Sequence, residues 1–220
     1  MNFLNRFMAT GLSAAALLSG CTTSPQTAPL LLTLPSVPLV AKPMSDAQRS
    51  PDAGLPNTVP TAPTAPTAPL LAIRRVDIPE YMVARRVRYR TDASTLAEWP
   101  NTYWAERIEI GVSRAFGGAL RQELPDWAVC DTNCGDQRPT LALQVELASM
   151  DYLRSVRQLR ARARITISST DATPRVLRTE DLSFELTANA DTPQAQAQAI
   201  ASLIQKVAAA VGPAVRNVKP

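Results

Sequence analysis

Leu159-Arg160-Ala161-Arg162-Ala163-Arg164-Ile165-Thr166-Ile167 decides the fold class. Apolar residues stand at every second position and arginines fill three of the gaps. A period of two puts the apolar set on one face of an extended chain and the guanidinium groups on the other. Upstream, Leu141, Leu143, Val145 and Leu147 alternate with Gln144 and Glu146 in the same way, a second half-buried strand. Ser149 to Arg157, which includes Tyr152 and Arg154, is expected to join the two as a hairpin connection. Downstream, Leu182, Phe184 and Leu186 mark another strand, preceded by an extended Val176 to Thr179.

Two stretches change period. Between Tyr103 and Glu123, residues Trp104, Ile108, Val112, Ala115, Phe116, Ala119 and Leu120 recur at helical spacing. Glu106, Arg107, Glu109, Arg114 and Arg121 fall on the opposite side, and Pro125 bounds the helix. Gly117 and Gly118 each cost this helix roughly 1 kcal/mol relative to Ala, which suits a close approach by a neighbouring element. A second helix begins with Thr192 as N-cap and Pro193 in the first turn. Ile200, Leu203, Ile204, Val207, Ala208 and Val211 form its stripe, and Gly212-Pro213 is expected to end it. Before the first helix, Leu71 to Ile78 and Val83 to Arg90 read as strands. Trp127 to Cys130 reads as a short one after it. The expected fold is α+β: an antiparallel or mixed sheet with two amphipathic helices packed on one face.

The N-terminus reads differently. Arg6 precedes an apolar stretch from Phe7 to Leu18, which is too short to span a bilayer as a mature helix. It ends in Leu18-Ser19-Gly20-Cys21. This order resembles the lipobox of bacterial lipoproteins, which implies removal of residues 1–20 and acylation of Cys21 as the first mature residue. Thr22, not Asp, follows, and the resemblance then implies the outer membrane of a Gram-negative envelope, facing the periplasm. Several acyl chains on one cysteine, at about 0.8 kcal/mol per buried methylene, hold such a protein on the membrane.

Three copies of Thr-Ala-Pro run from Thr61 to Pro69 in a tract of low complexity. Pro fixes its own φ and extends the residue before it, so the tract favours a semi-rigid polyproline II spacer. Leu30-Leu31-Leu32-Thr33-Leu34, upstream of the tract, is a possible short strand that packs back on the domain. The expected organisation is a signal peptide over 1–20, a lipidated segment and linker over 21–69, and one domain over 70–216.

The inventory of chemistry is short. The chain has no histidine, and no nucleophile elbow, phosphate loop or zinc-protease run. Carboxylates are scattered singly through the strands and the first helix, and the adjacent pair Glu180-Asp181 reads as solvent-facing charge. No enzyme, cofactor or metal site is expected. Net charge is +4 with both signs interspersed, so nucleic acid is not an expected partner. With Cys21 lipidated, Cys130 and Cys134 remain as a pair in an oxidising compartment. A local disulfide is the expected state. A redox-active pair and a metal site are the alternatives.

Leu70-Leu71-Ala72-Ile73-Arg74-Arg75-Val76-Asp77-Ile78-Pro79-Glu80-Tyr81-Met82 resembles the signature strand and turn of the paraquat-inducible lipoprotein C family, the ABC-type transport auxiliary lipoproteins. Val87-Arg88-Tyr89-Arg90-Thr91, Tyr103-Trp104-Ala105-Glu106 and Leu124-Pro125-Asp126-Trp127 follow in the family's order. The resemblance implies a non-enzymatic subunit of an intermembrane lipid transport system. It implies a periplasmic partner with mammalian-cell-entry (MCE) domains, and a homo-oligomeric ring is possible. The expected docking surface is Asp77, Ile78, Pro79, Tyr81 and Tyr89, which joins an edge, a Pro-fixed turn and exposed aromatics, a mix enriched at interfaces; the same residues can also serve to cap the core. Arg160, Arg162 and Arg164 form a row of cations suited to anionic lipid head groups, or to pairing with neighbouring carboxylates. The competing class is a structural lipoprotein that tethers an envelope complex without handling lipid.

Overall fold

A computed structural model describes residues 27–35, 68–131 and 134–218. Cys21 and most of the Thr-Ala-Pro tract lie outside these residues. In chain order the strands are β1 (Leu30–Leu32), β2 (Leu70–Ile73), β3 (Arg86–Arg90) and β4 (Leu96–Trp104). Helix α1 (Ile108–Glu123) and strands β5 (Ala128–Cys130), β6 (Leu141–Leu153), β7 (Gln158–Ser169) and β8 (Val176–Thr187) follow, and α2 (Pro193–Arg216) closes the fold. The architecture is α+β, with a mixed sheet of eight strands.

β6 organises the sheet. One of its edges carries β7 antiparallel along its length, with β8 beyond. The other edge is shared. β2 pairs parallel with Leu141–Leu143, Asp77 bridges to Glu146, and Arg90 of β3 meets Leu153. β5 extends the sheet past β2, while β4 and then β1 extend it past β3. The apolar residues of the two alternating runs line one face and are buried there. Val76, Val145 and Leu147 meet Val112 and Phe116 of α1 and Ile204 and Val207 of α2. Both helices therefore cover the apolar face of the sheet and pack on each other. α2 is the one described helix long and apolar enough to cross a membrane, but its apolar stripe lies in the core.

Several boundaries differ from the sequence reading, each for a local reason. The expected hairpin connection over 149–157 is mostly strand. A register shift between Leu147 and Ser149 changes the phase, so Met150 and Tyr152 carry on the buried face. A shift of one residue exchanges the two faces of a strand, which hides the continuation from a period-two reading. The real turn is a single 3-10 turn over Arg154–Val156, closed by Arg157 at φ 52°. Trp104 ends a strand instead of heading the helical stripe. β4 is one strand with a shift of register against β3 around Pro100-Asn101, where Asn101 takes φ 48°, and its buried residues, Trp99, Thr102 and Trp104, fit no single period. β8 is one strand and not two. Gly212-Pro213 does not stop α2. The φ of Pro suits a helix, though its N–H is missing and its ring crowds the preceding turn; the buried Ala214 and Val215 complete one more turn, and Asn217 N donates to Pro213 O.

Gly117 and Gly118 are not where the helices approach. A Cβ at 118 would meet nothing within 4 Å, whereas one at Gly212 would lie 3.2 Å from Glu123 Cβ across the α1–α2 contact. Arg216 Nη1 closes the same contact by donating to Glu123 O at 2.7 Å.

Leu30–Leu34 docks on the domain. β1 pairs parallel with Thr102–Trp104, Ala105 N donates to Leu32 O at 2.8 Å, and Leu32 and Leu34 are buried.

Candidate functional site

The Asp77–Met82 turn exists because β6 is longer than the strand beside it. β2 ends at Ile73, and the chain touches β6 again through Arg74 N to Leu143 O and Asp77 N to Val145 O. Three residues of advance on one side match two on the other, so the segment bulges outward. Pro79 then directs the chain into a 3-10 turn over Glu80–Met82. Asp77 is exposed, Ile78 and Pro79 are half-buried, and Met82 is buried beneath them. Gln144 Nε2 donates to Asp77 Oδ2 at 3.3 Å.

Tyr81 fills the seam between β2 and β3 along the edge of β6. Its hydroxyl donates to Asp151 Oδ1 at 2.8 Å and accepts from Met150 N at 3.2 Å. Arg90 Nε donates to the same Asp151 oxygen at 2.6 Å, and its guanidinium lies 5.2 Å from the centre of the Tyr81 ring. Burial is the main cause that pushes the Tyr81 hydroxyl above the usual tyrosine range; the neighbouring Asp151 carboxylate adds to it. Arg88 Nη1 donates to Tyr81 O at 3.0 Å and anchors the turn from below.

Tyr89 does not join this surface. Alternation in β3 puts Arg88 and Arg90 on one side and Val87 and Tyr89 on the other. There the Tyr89 ring packs on Trp99, centroids 5.1 Å apart. The Arg154 guanidinium lies 4.1 Å from the Trp99 ring and 5.0 Å from the Tyr89 ring, and pairs with Asp191. The buried Gln196 locks this corner: its Oε1 accepts from Trp99 Nε1 and its Nε2 donates to Arg88 O, both at 2.7 Å. Sequence reasoning missed Trp99, Asp191 and Gln196. Gln196 at an otherwise apolar stripe position in α2 was the available signal.

The arginine row occupies the outer face of β7. Arg160 pairs with Glu185 at 3.5 Å and Arg164 with Asp181 at 2.9 Å. Arg162 stands between Ser149 and Ser183 and has no carboxylate partner among the described residues. Two of the three cations are thus already matched on their own sheet. Such exposed pairs contribute little to stability, about 0–1 kcal/mol each. Cys130 and Cys134 form a disulfide, with Cα atoms 5.3 Å apart. Among the described residues no three His, Cys, Asp or Glu side chains are grouped to hold a metal.

Comparison with solved structures shows the fold. A crystal structure of an uncharacterized protein superposes with a TM-score of 0.63 at 14% identity, covering 86% of this chain and 99% of its own. Protein XCC0632 from Xanthomonas campestris, of family DUF330, gives 0.55 at 14% identity, covering 69% and 87%. No curated relative matches the chain. The model of the family described as "ABC-type transport auxiliary lipoprotein component" matches residues 54–212, from the proline-rich tract to the last helix. The chain therefore belongs to that family: it is an auxiliary component of ABC-type transport and a lipoprotein of the bacterial envelope.

Proposed function

We propose that this protein is a non-enzymatic subunit of an intermembrane lipid transport system, anchored in the outer membrane through Cys21. Its folded domain docks a periplasmic conduit built from MCE-domain protein. Family membership over the folded body carries the reading. The docking surface is the outward turn of Asp77, Ile78 and Pro79, continued by the exposed Val83. Tyr81 supports this turn from behind, because its hydroxyl is engaged with Met150 and Asp151. Tyr89 serves the sheet–helix corner and is left out of the surface. A turn held rigid by a buried hydroxyl and a guanidinium offers half-buried apolar groups with little entropy to lose on binding.

The test is photocrosslinking in intact cells from Ile78 and Val83, with exposed Asp171 on the β7–β8 loop as control. Capture of an MCE-domain protein from 78 or 83, and not from 171, is the expected result. Recovery of a secretin or of peptidoglycan in its place would sink the transport reading and favour a structural tether.

A further inference from the structure

A cleft of about 330 Å³ opens between the end of β2 and α1. Arg74, Arg75, Arg114 and Arg121 line it, with Asp131 as the one carboxylate in its wall. Ile73 and the exposed Ile110 supply an apolar side. The bulge between β2 and Asp77 puts Arg74 and Arg75 here. Val76 N is tied to Ser113 Oγ at 3.1 Å, which brings the bulged chain against α1.

The four cations are not equivalent. Arg114 is held in a two-pronged pair by Glu106, at 2.7 and 2.5 Å. Arg121 pairs with Asp131 at 3.5 Å. Arg74 and Arg75 make no side-chain ion pair or hydrogen bond among the described residues. Two guanidinium groups therefore face the cleft uncompensated. A third is matched only by a largely exposed carboxylate, which solvent screens.

Gly117 of α1 shapes the same wall. A Cβ at Gly117 would lie 3.3 Å from Arg121 Nη1 and 3.8 Å from Asp131 Oδ1, so the missing side chain leaves room for that pair. The Cys130–Cys134 disulfide closes the loop that carries Asp131.

We propose that this cleft binds a phosphate-bearing anion, with Arg74 and Arg75 as the principal donors and Ile73 and Ile110 receiving an apolar substituent. Planar guanidinium forks match phosphate oxygens. The size of the cleft fits a head group and not an acyl chain. Asp131 acts as a resident competitor, holding Arg121 until an anion arrives. The assignment rests on the cleft alone and stands independently of the docking turn.

The experiment is calorimetric titration of the full chain, in zwitterionic detergent, with three probes. These are inorganic phosphate, dihexanoyl phosphatidylglycerol and dihexanoylglycerol, which has the same chains and no phosphate. Binding of the phosphatidylglycerol over the phosphate assigns a lipid head group; equal binding of both assigns the free anion. Either supports the site, provided Arg74→Gln and Arg75→Gln each weaken binding roughly tenfold, the scale of one charge-assisted hydrogen bond. Asp131→Asn should tighten binding several-fold, a change no purely structural role would give. Binding of dihexanoylglycerol equal to that of the phosphatidylglycerol, or affinity unmoved in both arginine variants, overturns the proposal. All three positions are exposed, so these variants are expected to fold as the parent does.

Discussion

Replacing Tyr81 by Phe removes one oxygen atom and tests whether this residue is part of the frame. The hydroxyl accepts from Met150 N and donates to Asp151 Oδ1. Met150 is fully buried, at 0% exposure, so its amide loses an acceptor with no water to take its place. A buried donor left unpaired costs about 1–3 kcal/mol. Asp151 keeps Arg90 at 2.6 Å and is not orphaned. The expected loss is therefore about 2 kcal/mol, a fall in Tm of roughly 4–8 °C for a domain of this size. The phenol also predicts a pH signature. Burial raises its pKa, so its contribution is present below the ordinary tyrosine value of about 10 and is lost as pH rises through the folded value. Urea denaturation of the parent and of Tyr81→Phe between pH 7 and 11 measures both. The gap between them should close on the alkaline side. Tyr103→Phe is the control, because no hydrogen bond holds that hydroxyl among the described residues, and it should stay within about 0.5 kcal/mol. A Tyr81→Phe loss under about 0.5 kcal/mol, or a gap that does not change with pH, would refute the seam-filling argument.

Three further outcomes are expected. Leu34→Ala should cost about 2 kcal/mol, the low end for a buried leucine beside a short edge strand, and hydrogen exchange at the Ala105 amide should accelerate far more than at Leu143. Glu106→Gln should cost up to about 1 kcal/mol at pH 7. Because its hydrogen bonds to Arg114 lower the Glu106 pKa, that stability is present above the ordinary glutamate value of about 4.3 and is lost as pH falls through the depressed value, so parent and variant curves should converge on the acid side of a titration. Removing the disulfide with paired Cys130→Ser and Cys134→Ser changes should cost no more than about 2 kcal/mol, since the loop it closes is short; thermal unfolding under oxidising and reducing conditions checks this.

The layered plan was legible because β6, β7 and the α2 stripe keep their periods over long runs. It became illegible where the chain inserts extra residues. The bulge after Leu147 hid the second half of β6, and the shift of register around Asn101 hid β4 and moved Trp104 from a helix to a strand. The bulge after Ile73 made a broken edge look like one strand to Ile78. Each irregularity is invisible to a period-two reading, and the one after Ile73 creates both surfaces discussed above. Arg74-Arg75 was the local clue, since two adjacent cations cannot both follow the alternation of a half-buried strand. Tyr89 was misplaced because sequence proximity to Tyr81 says nothing about which face of β3 it takes.

The docking of β1 has a mechanical consequence. β1 and β2 are neighbours in the chain but not in the sheet: β2 pairs with the start of β6, whereas β1 lies beyond β4 and β3, which meets the end of β6. With Cys21 in a membrane, as proposed, a pull on the N-terminus reaches the body first through three residues of β1 on β4. So short a strand is the weakest link in the load path. When it lets go, roughly forty residues before β2 are released, at up to about 3.5 Å each, or about 140 Å of slack. The protein thus holds two tether lengths, a short one at rest and a long one under tension, and Leu32 and Leu34 set the load at which one becomes the other.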